Sequence, residues 1–172
     1  PDVNTSDMEF SVEDNAIRFG LSAVKSLGRP TIKAIIDERN KSRFTSMQDF
    51  ISRLYTDLNK RTLENLIKSG AFGNNRRQMM SVYARMLDNE AKQGKDAISG
   101  QMSLFDLVDE SEKSQFEIKM PDVSEYTKED ILAFEKEVLG VYVSGHPLDE
   151  YAAMWKKHIS AMSTDFELDD ET

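Results

Sequence analysis

The clearest chemistry that the sequence offers is phosphate binding by three basic residues around a tight turn. Lys25, Arg29 and Lys33 surround the string Leu27-Gly28-Arg29-Pro30. A hydrophobic-Gly-x-Pro turn leaves one residue free to adopt positive φ, and Pro30 fits the first turn of a following helix, where its missing N–H costs nothing. The free N–H groups and the dipole of that helix would form an anion site, which reads a nucleic-acid backbone and not its base sequence. An ordinary helical hairpin with solvated basic side chains is the alternative.

Patterns for catalysis and metal binding are weaker. The chain has no cysteine, which excludes a disulfide framework, a thiolate metal site and a cysteine nucleophile. Asp7 and Glu9 come nearest to the paired carboxylates of a two-metal site, but a surface hairpin explains them better. We interpret His146 and His158, the two histidines, as a turn residue and a helix-end cation. We therefore predict no catalytic residue and no metal site in this chain.

Charge is unevenly distributed along the sequence. The net charge of −9 would argue against a nucleic-acid partner if it were spread evenly. Residues 17–85, however, contain 14 Lys or Arg against 5 Asp or Glu, and both flanks are acidic. A basic block of this kind is typical of a nucleic-acid-facing module joined to another unit, although a merely lopsided surface would give the same count.

The first half of the chain has the pattern of a β-hairpin followed by short helices. Residues 8–12 and 16–21 alternate apolar and polar side chains around a turn at 13–15. Helical spacing follows in four strings, LSAVKSL, PTIKAIIDERNK, SMQDFISRL and NKRTLENLIKSGAF. In the last string, Asn59 is the expected N-cap and Gly70 the expected stop. The predicted inward residues of the last three are Ile32, Ile35, Ile36, Met47, Phe50, Ile51, Leu54, Leu63, Leu66 and Ile67.

The second half is predicted to contain one packing helix, a linker and a small ordered unit. A helix from Arg76 to about Lys92 carries a Met-rich stripe that favours a core position, and residues 94–124 have the composition of a linker or mobile arm. Thr127 and Asp130 resemble a capping box that opens a helix ending at Gly140. A short strand at 141–143, a turn, a helix at 148–158 and a frayed acidic tail complete the expectation.

One stretch of the predicted linker contains apolar residues without an evident core. Leu104 and Phe105 stand side by side in GQMSLFD, between two polar flanks that lack a sustained apolar period. Either they pack locally on the Met-rich helix, or another molecule buries them.

At the level of whole strings, the sequence resembles known replication proteins. VKSLGRPTIKAII resembles a helix-hairpin-helix element, in which Leu27 and Gly28 match the usual Gly-hydrophobic-Gly hairpin and Ser26 replaces its first glycine. IRFGLSAVKSLG, FTSMQDFISRL, NKRTLENLIKSGAF and LGVYVSGHPLDEY, in this order, resemble the alpha subunits of bacterial DNA polymerase III, the C-family replicative polymerases. Since the chain begins with proline, we expect it to be a piece of a longer protein.

The resemblance implies a mainly α fold and a division into six parts. These are a β-hairpin from the end of the fingers (1–20), a tandem helix-hairpin-helix domain (21–73), a packing helix (74–93), a flexible arm with a clamp-binding motif (94–125), a helix-strand-helix segment leading to an absent oligonucleotide-binding fold (126–160) and an acidic tail (161–172). The second hairpin would be degenerate and lack glycine, so that phosphate contact there depends on Lys60 and Arg61.

The resemblance also implies partners. Duplex DNA would contact Lys25, Ser26, Leu27, Gly28, Arg29, Thr31, Lys33, Asn59, Lys60 and Arg61, independently of base sequence. A sliding clamp would bind the peptide Gln101, Met102, Ser103, Leu104 and Phe105, and other replicase subunits would bind through the parent chain. The parent protein would be a DNA-directed DNA polymerase that uses Mg²⁺. Its catalytic palm would lie upstream of this segment, so the segment itself would need no cofactor and would be inactive alone. We expect a cytoplasmic location and no membrane contact, because the sequence has neither a signal peptide nor a membrane-length apolar run.

Two alternatives remain at this point. The basic block could face an acidic protein surface in a pure protein-interaction module. The chain could also be a helix-hairpin-helix repair protein. Bifunctional glycosylases with this motif carry a nucleophilic lysine two residues after the second hairpin glycine. That position is Pro30 here, and proline cannot form a Schiff base, so this chemistry is excluded at that position.

Overall fold

The fold is mainly α-helical, with one small β-hairpin. The computed structural model describes residues 1–13, 15–73, 75–98 and 118–161. The strands and helices are β1 (Ser11–Glu13), β2 (Ala16–Arg18), α1 (Arg29–Lys41), α2 (Met47–Leu54), α3 (Lys60–Lys68), α4 (Arg76–Ile98), α5 (Lys128–Leu139) and α6 (Ala152–His158). The predicted clamp-binding motif and most of the acidic tail lie outside the described residues.

The predicted β-hairpin is present and is shorter than expected. β1 and β2 pair antiparallel with Val12 opposite Ile17, and both of these side chains are exposed. After the hairpin, the chain is joined to the residues that precede β1, because the N–H of Leu21 donates to the carbonyl of Asp7 at 2.8 Å. Gly20 is needed there, because a Cβ atom would lie 2.5 Å from the backbone of residues 8 and 9.

The predicted helix over LSAVKSL is wrong. The structure has a 3-10 turn at Leu21–Ala23, extended backbone at Val24, and Ser26 in the left-handed region with φ of 65°. This irregular path buries Leu21, Val24 and Leu27 in the core. Seven residues are too few for a helix to be stable without packing, so burial of these three side chains outweighs local helical preference.

The three predicted helices that follow are confirmed, with their apolar faces inward. Ile32, Ile35, Met47, Phe50, Ile51, Leu54, Leu63, Leu66 and Ile67 are buried, and Ile36 is half-buried against the same core. Ser46 caps α2 by accepting the N–H of Asp49, and Asn59 caps α3 by accepting the N–H of Thr62. Gly70, with φ of 78°, ends the fourth string as predicted.

α4 packs on α2 and α3 and extends beyond the predicted end at Lys92 to Ile98. The Met-rich stripe is core, as predicted, with Met79, Val82, Met86 and Leu87 buried. Gly94 lies inside the helix, where a Cβ atom would come within 2.3 Å of the Tyr55 hydroxyl oxygen. The contact with Tyr55 shows that the predicted boundary of the arm at residue 94 is too early.

The last eight residues of the predicted arm are packed on the domain. Ile118 contacts the core, and the carbonyl of Val123 accepts a hydrogen bond from the Asn75 side chain at 2.7 Å. The Glu125 carboxylate accepts the N–H groups of Arg76 at 2.7 Å and Arg77 at 3.2 Å, and so caps α4. The prediction of a flexible arm is therefore wrong for residues 118–125, because these long-range side-chain contacts are not visible in local composition.

α5 has the predicted N-cap and stop, but the predicted strand after it is absent. Thr127 accepts the N–H of Asp130, and Gly140 has φ of 80°. Val141–Val143 finds no partner strand among the described residues, and the N–H groups of Val143 and Ser144 donate instead to the buried Glu135 carboxylate at 2.7 and 2.8 Å. A 3-10 turn at Asp149–Tyr151 leads into α6, which is the predicted closing helix.

In the part of the chain described here, no helix is long and apolar enough to cross a membrane.

Candidate nucleic-acid interface

The two predicted hairpin turns lie side by side and are joined by hydrogen bonds. The Thr31 hydroxyl, in the first turn of α1, donates to the carbonyl of Asp57 at 3.2 Å. In the other direction, the Thr62 hydroxyl of α3 donates to the carbonyl of Ser26 at 3.2 Å. The sequence-predicted residues at 25–33 and 59–61 therefore belong to one surface.

Buried amide and hydroxyl groups of α3 hold the backbone of the first turn. The Asn65 side chain donates to the carbonyl of Lys25 at 2.7 Å, beside the Thr62 contact to Ser26. Both side chains are almost fully buried, with 8% and 2% of the residue surface exposed. Sequence reasoning missed these two positioning residues. The available signal was a pair of polar side chains on the face of α3 that also carries Leu63, Leu66 and Ile67.

α1 begins at this surface without a cap. Gly28 is its N-cap residue and offers no side-chain acceptor, whereas side chains cap α2, α3, α4 and α5. The N–H groups of Arg29 and Thr31 make no hydrogen bond with the described residues. Uncapped N–H groups and the positive end of the helix dipole together favour an anion.

The backbone geometry of the first turn differs from the prediction in one respect. Gly28 has φ of −76°, which any residue can adopt, and Ser26 carries the positive φ. Pro30 occupies the first turn of α1, as predicted. The left-handed residue is thus the one at which the helix-hairpin-helix pattern ordinarily has its first glycine.

Three of the ten predicted contact residues present cations with no partner. The side chains of Arg29, Lys33 and Arg61 are exposed and form no ion pair or hydrogen bond with the described residues. Lys60 is exposed but lies 2.7 Å from the Asp88 carboxylate. An exposed pair of this kind contributes little stability, so that Lys60 can exchange its carboxylate for another anion.

The remaining predicted contact residues have structural roles. Leu27 is buried in the core, Thr31 bonds to the second turn, and the Asn59 side chain caps α3. The Lys25 ammonium donates to the carbonyl of Glu137 at 2.5 Å, which ties the first turn to the end of α5. Their roles in DNA contact stay predictions. Gly28 can offer only its backbone, whereas Ser26 can also offer its exposed hydroxyl.

A buried ion pair fixes α5 to the same domain. Arg76 at the start of α4 lies 3.1 Å from Glu135 of α5, whose carboxylate is 1% exposed. Burial by itself would raise the pKa of Glu135, but hydrogen bonds from Ser144, Val143 and Arg76 outweigh it, and the net pKa is lowered. Gly70 leaves the space that Arg76 needs, because a Cβ atom there would lie 2.5 Å from the guanidinium.

No metal site accompanies this surface among the residues that the structure describes. No group of three or more His, Cys, Asp or Glu side chains within them is placed to hold a metal ion. His146 lies in the turn before α6, where its Nδ1 accepts the N–H of Leu148 at 3.1 Å.

Comparison with known proteins gives one consistent result. A helix-hairpin-helix motif family matches residues 1–79. The DNA polymerase III subunit alpha of Borreliella burgdorferi is 38% identical over 169 residues, which cover 95% of this chain and 14% of that protein. The DNA polymerase III subunit alpha of Mycobacterium leprae is 38% identical, and the match covers 88% of this chain and 13% of that protein. That of Aquifex aeolicus is 35% identical, and the match covers 100% of this chain and 14% of that protein. The chain spans about one seventh of the length of these relatives. It is therefore a homologue of one segment of the DNA polymerase III alpha subunits, and it contains a helix-hairpin-helix motif.

Proposed function

We propose that this chain is a DNA-binding segment of a replicative polymerase alpha subunit, which holds duplex DNA by its phosphate backbone without reading base sequence. The observation that carries the proposal is the uncapped start of α1 beside the second turn, with Arg29, Lys33 and Arg61 exposed and unpaired. Two adjacent turns that both present exposed cations suit phosphates on a helical backbone better than a single small anion.

The charge distribution and the relatives support the same function. The basic block at 17–85 includes both turns, whereas the flanking acids belong to other parts of the chain. The relatives are named as subunits of a DNA polymerase, and the matched family is a helix-hairpin-helix motif. Since the chain covers only about one seventh of those relatives, nucleotidyl transfer belongs to the proposed parent protein, where Mg²⁺ would serve a palm outside this segment.

A matched pair of arginines on one helix tests the DNA contact. Arg29 opens α1, and Arg43 follows its end, about 20 Å away along the helix axis. Both are exposed and have no partner among the described residues. We expect Arg29→Glu to weaken duplex binding at low salt at least tenfold, and Arg43→Glu to weaken it only about two- to threefold through long-range charge.

Equal losses in the two variants would contradict the proposed contact at the first turn. Equal affinity for heparin and duplex, without preference over single-stranded DNA, would support the protein-interaction module instead. Robust nucleotide incorporation on a primed template would contradict a non-catalytic segment.

We further propose that residues 101–105 bind a sliding clamp. The support is the sequence Gln101-Met102-Ser103-Leu104-Phe105, in which two adjacent apolar side chains could fill a preformed pocket while Gln101 satisfies polar groups at its rim. Burial of two such side chains contributes a few kcal/mol before ordering costs, which predicts micromolar affinity for the peptide. DNA held by the basic block would raise the effective concentration of a clamp encircling the same DNA.

The clamp proposal is tested by titration of the chain with purified clamp. We expect Leu104→Ala with Phe105→Ala to abolish binding, and the control Leu107→Ala with Val108→Ala to retain it. Loss of clamp binding in both variants, or in neither, would contradict the assignment to this pentapeptide.

A further inference from the structure

A cleft of about 510 Å³ lies between the two turns and the end of α5. Its lining residues are Lys25, Lys60, Arg61, Glu64, Asn65, Lys68, Glu137 and Val138. Four of these are cations from the turns and α3, and they make the cleft a place where a phosphate of bound DNA can enter. Two acids stand among them, one from α3 and one from α5.

Glu137 places its carboxylate on the most buried of these cations. The Lys68 ammonium lies 3.1 and 3.2 Å from the two Glu137 carboxylate oxygens, and 3.0 Å from Glu64. The Lys68 side chain is 13% exposed, whereas that of Glu137 is 58% exposed. Burial would lower the pKa of Lys68, but the two carboxylates outweigh it and the net pKa is raised, so that the ammonium remains charged. The exposed partner, Glu137, can leave without a change in the core.

The backbone around Glu137 is fixed relative to the first turn. Its carbonyl accepts the Lys25 ammonium at 2.5 Å, and the carbonyl of Val138 accepts the N–H of Lys25 at 2.9 Å. These two carbonyls belong to the last turn of α5 and would otherwise lack partners. Glu137 is therefore held at the cleft edge by contacts that do not involve its carboxylate.

We infer that Glu137 is a specificity-determining residue of the cleft, an intramolecular anion that a phosphate of bound DNA must displace from Lys68. The inference rests on the proposed DNA binding. A competing carboxylate lowers affinity for every anion, so that stable binding requires further contacts, which duplex DNA spanning both turns can supply and an isolated phosphate cannot. Lys68 becomes a phosphate contact once Glu137 has moved away.

A double-substitution cycle measured by duplex titration at several salt concentrations tests this inference. Glu137→Gln keeps the backbone contacts to Lys25 and removes the competing charge. We expect it to tighten duplex binding at low salt about three- to tenfold and to steepen the salt dependence by about one phosphate contact. Glu129→Gln, an exposed acid at the other end of α5, is the control for the loss of one negative charge and should change affinity less than twofold. In a Lys68→Met background, Glu137→Gln should give no gain beyond this control.

The outcomes separate the inference from the function on which it rests. Absence of salt-dependent duplex binding in the unaltered chain, or insensitivity of binding to Arg29→Glu, would overturn both. Binding that depends on Arg29, with equal effects of Glu137→Gln and Glu129→Gln, would overturn the inference alone. A gain from Glu137→Gln that persists unchanged in the Lys68→Met background would also overturn it, because the gain would not arise at Lys68. Thermal melting of each variant confirms that the fold is retained.

Discussion

Ser26 holds the first turn in a conformation that a side chain disfavours. Its φ of 65° lies in the left-handed region, and its hydroxyl makes no hydrogen bond with the described residues that would compensate. Its carbonyl, by contrast, is bound by Thr62. The turn is thus held by packing and by contacts to its carbonyl groups, and not by the preference of Ser26 itself.

We expect Ser26→Gly to stabilise the chain by about 0.5–1 kcal/mol, because glycine adopts positive φ without steric cost. This net figure allows for the greater conformational entropy of glycine in the unfolded chain, which offsets part of the gain. The melting midpoint should rise by about 2 °C. Ser26→Ala, which keeps a Cβ atom, is the control and should give no increase. An equal rise in both variants would show that backbone strain at Ser26 is not the cause.

The charge of the buried Glu135 carboxylate is stabilised by the groups around it. We expect Glu135→Gln to destabilise the chain by about 3 kcal/mol at pH 7, because it leaves the largely buried Arg76 unpaired. The folded-state pKa of Glu135 is below its ordinary value of 4.5, so its contribution is present above pH 4.5 and is lost as pH falls through the lowered value. Urea unfolding of both proteins should therefore show a gap at pH 7 that shrinks below pH 4.5. A gap that is independent of pH would contradict the role of the charge.

At the scale of elements, the start of α1 combines poor helix capping with a position on the proposed interface. Gly28 has ordinary backbone angles, and an added Cβ atom would meet only the Pro30 ring, at 3.7 Å. A side chain is therefore sterically tolerated at this position. The absence of an acceptor there leaves the N–H groups available to a ligand at some expense of helix stability.

Gly28→Asp should stabilise the chain and weaken DNA binding together. An aspartate N-cap contributes about 0.5–1 kcal/mol, and its carboxylate would occupy the site proposed for phosphate. We expect a higher melting midpoint and at least tenfold weaker duplex binding at low salt. Gly28→Ala adds a Cβ atom without an acceptor and should retain binding within about threefold. Unchanged DNA binding in Gly28→Asp would show that the start of α1 is not a phosphate site.

How well each element could be predicted depended on the range of the interactions that form it. α2, α3 and α5 carry apolar periodicity and caps within a few residues, and their predicted caps at Asn59 and Thr127 are confirmed. The predicted helix over LSAVKSL was wrong because packing of its apolar side chains in the core determines that backbone. The predicted strand at 141–143 was wrong because the Glu135 carboxylate, which lies in the preceding helix, accepts the N–H groups of Val143 and Ser144. In the candidate site, the basic residues were evident from their types. The pairing of the turns by Thr31 and Thr62 depends on residues far apart in sequence.

At the scale of the whole molecule, three exposed and unpaired cations, Arg29, Lys33 and Arg61, lie at two adjacent turns, while the net charge of the chain is negative. The net charge of −9 would repel DNA at long range, so that binding must depend on local contacts and on screening of the acidic flanks. α5 is attached to the first turn by Lys25 and to α4 by Glu135, so that α5 has a fixed position relative to the proposed DNA contact.

The most direct test of the account is the salt dependence of duplex binding, measured by fluorescence anisotropy with two duplexes of unrelated sequence. We predict similar affinities for the two duplexes and a linear fall of log affinity with log salt concentration. In a variant carrying Arg29→Gln, Lys33→Gln and Arg61→Gln, the magnitude of the slope should decrease by about 0.9 for each lost phosphate contact. An unchanged slope and affinity in this variant, with a normal melting midpoint, would contradict the claim that these turns hold the DNA backbone.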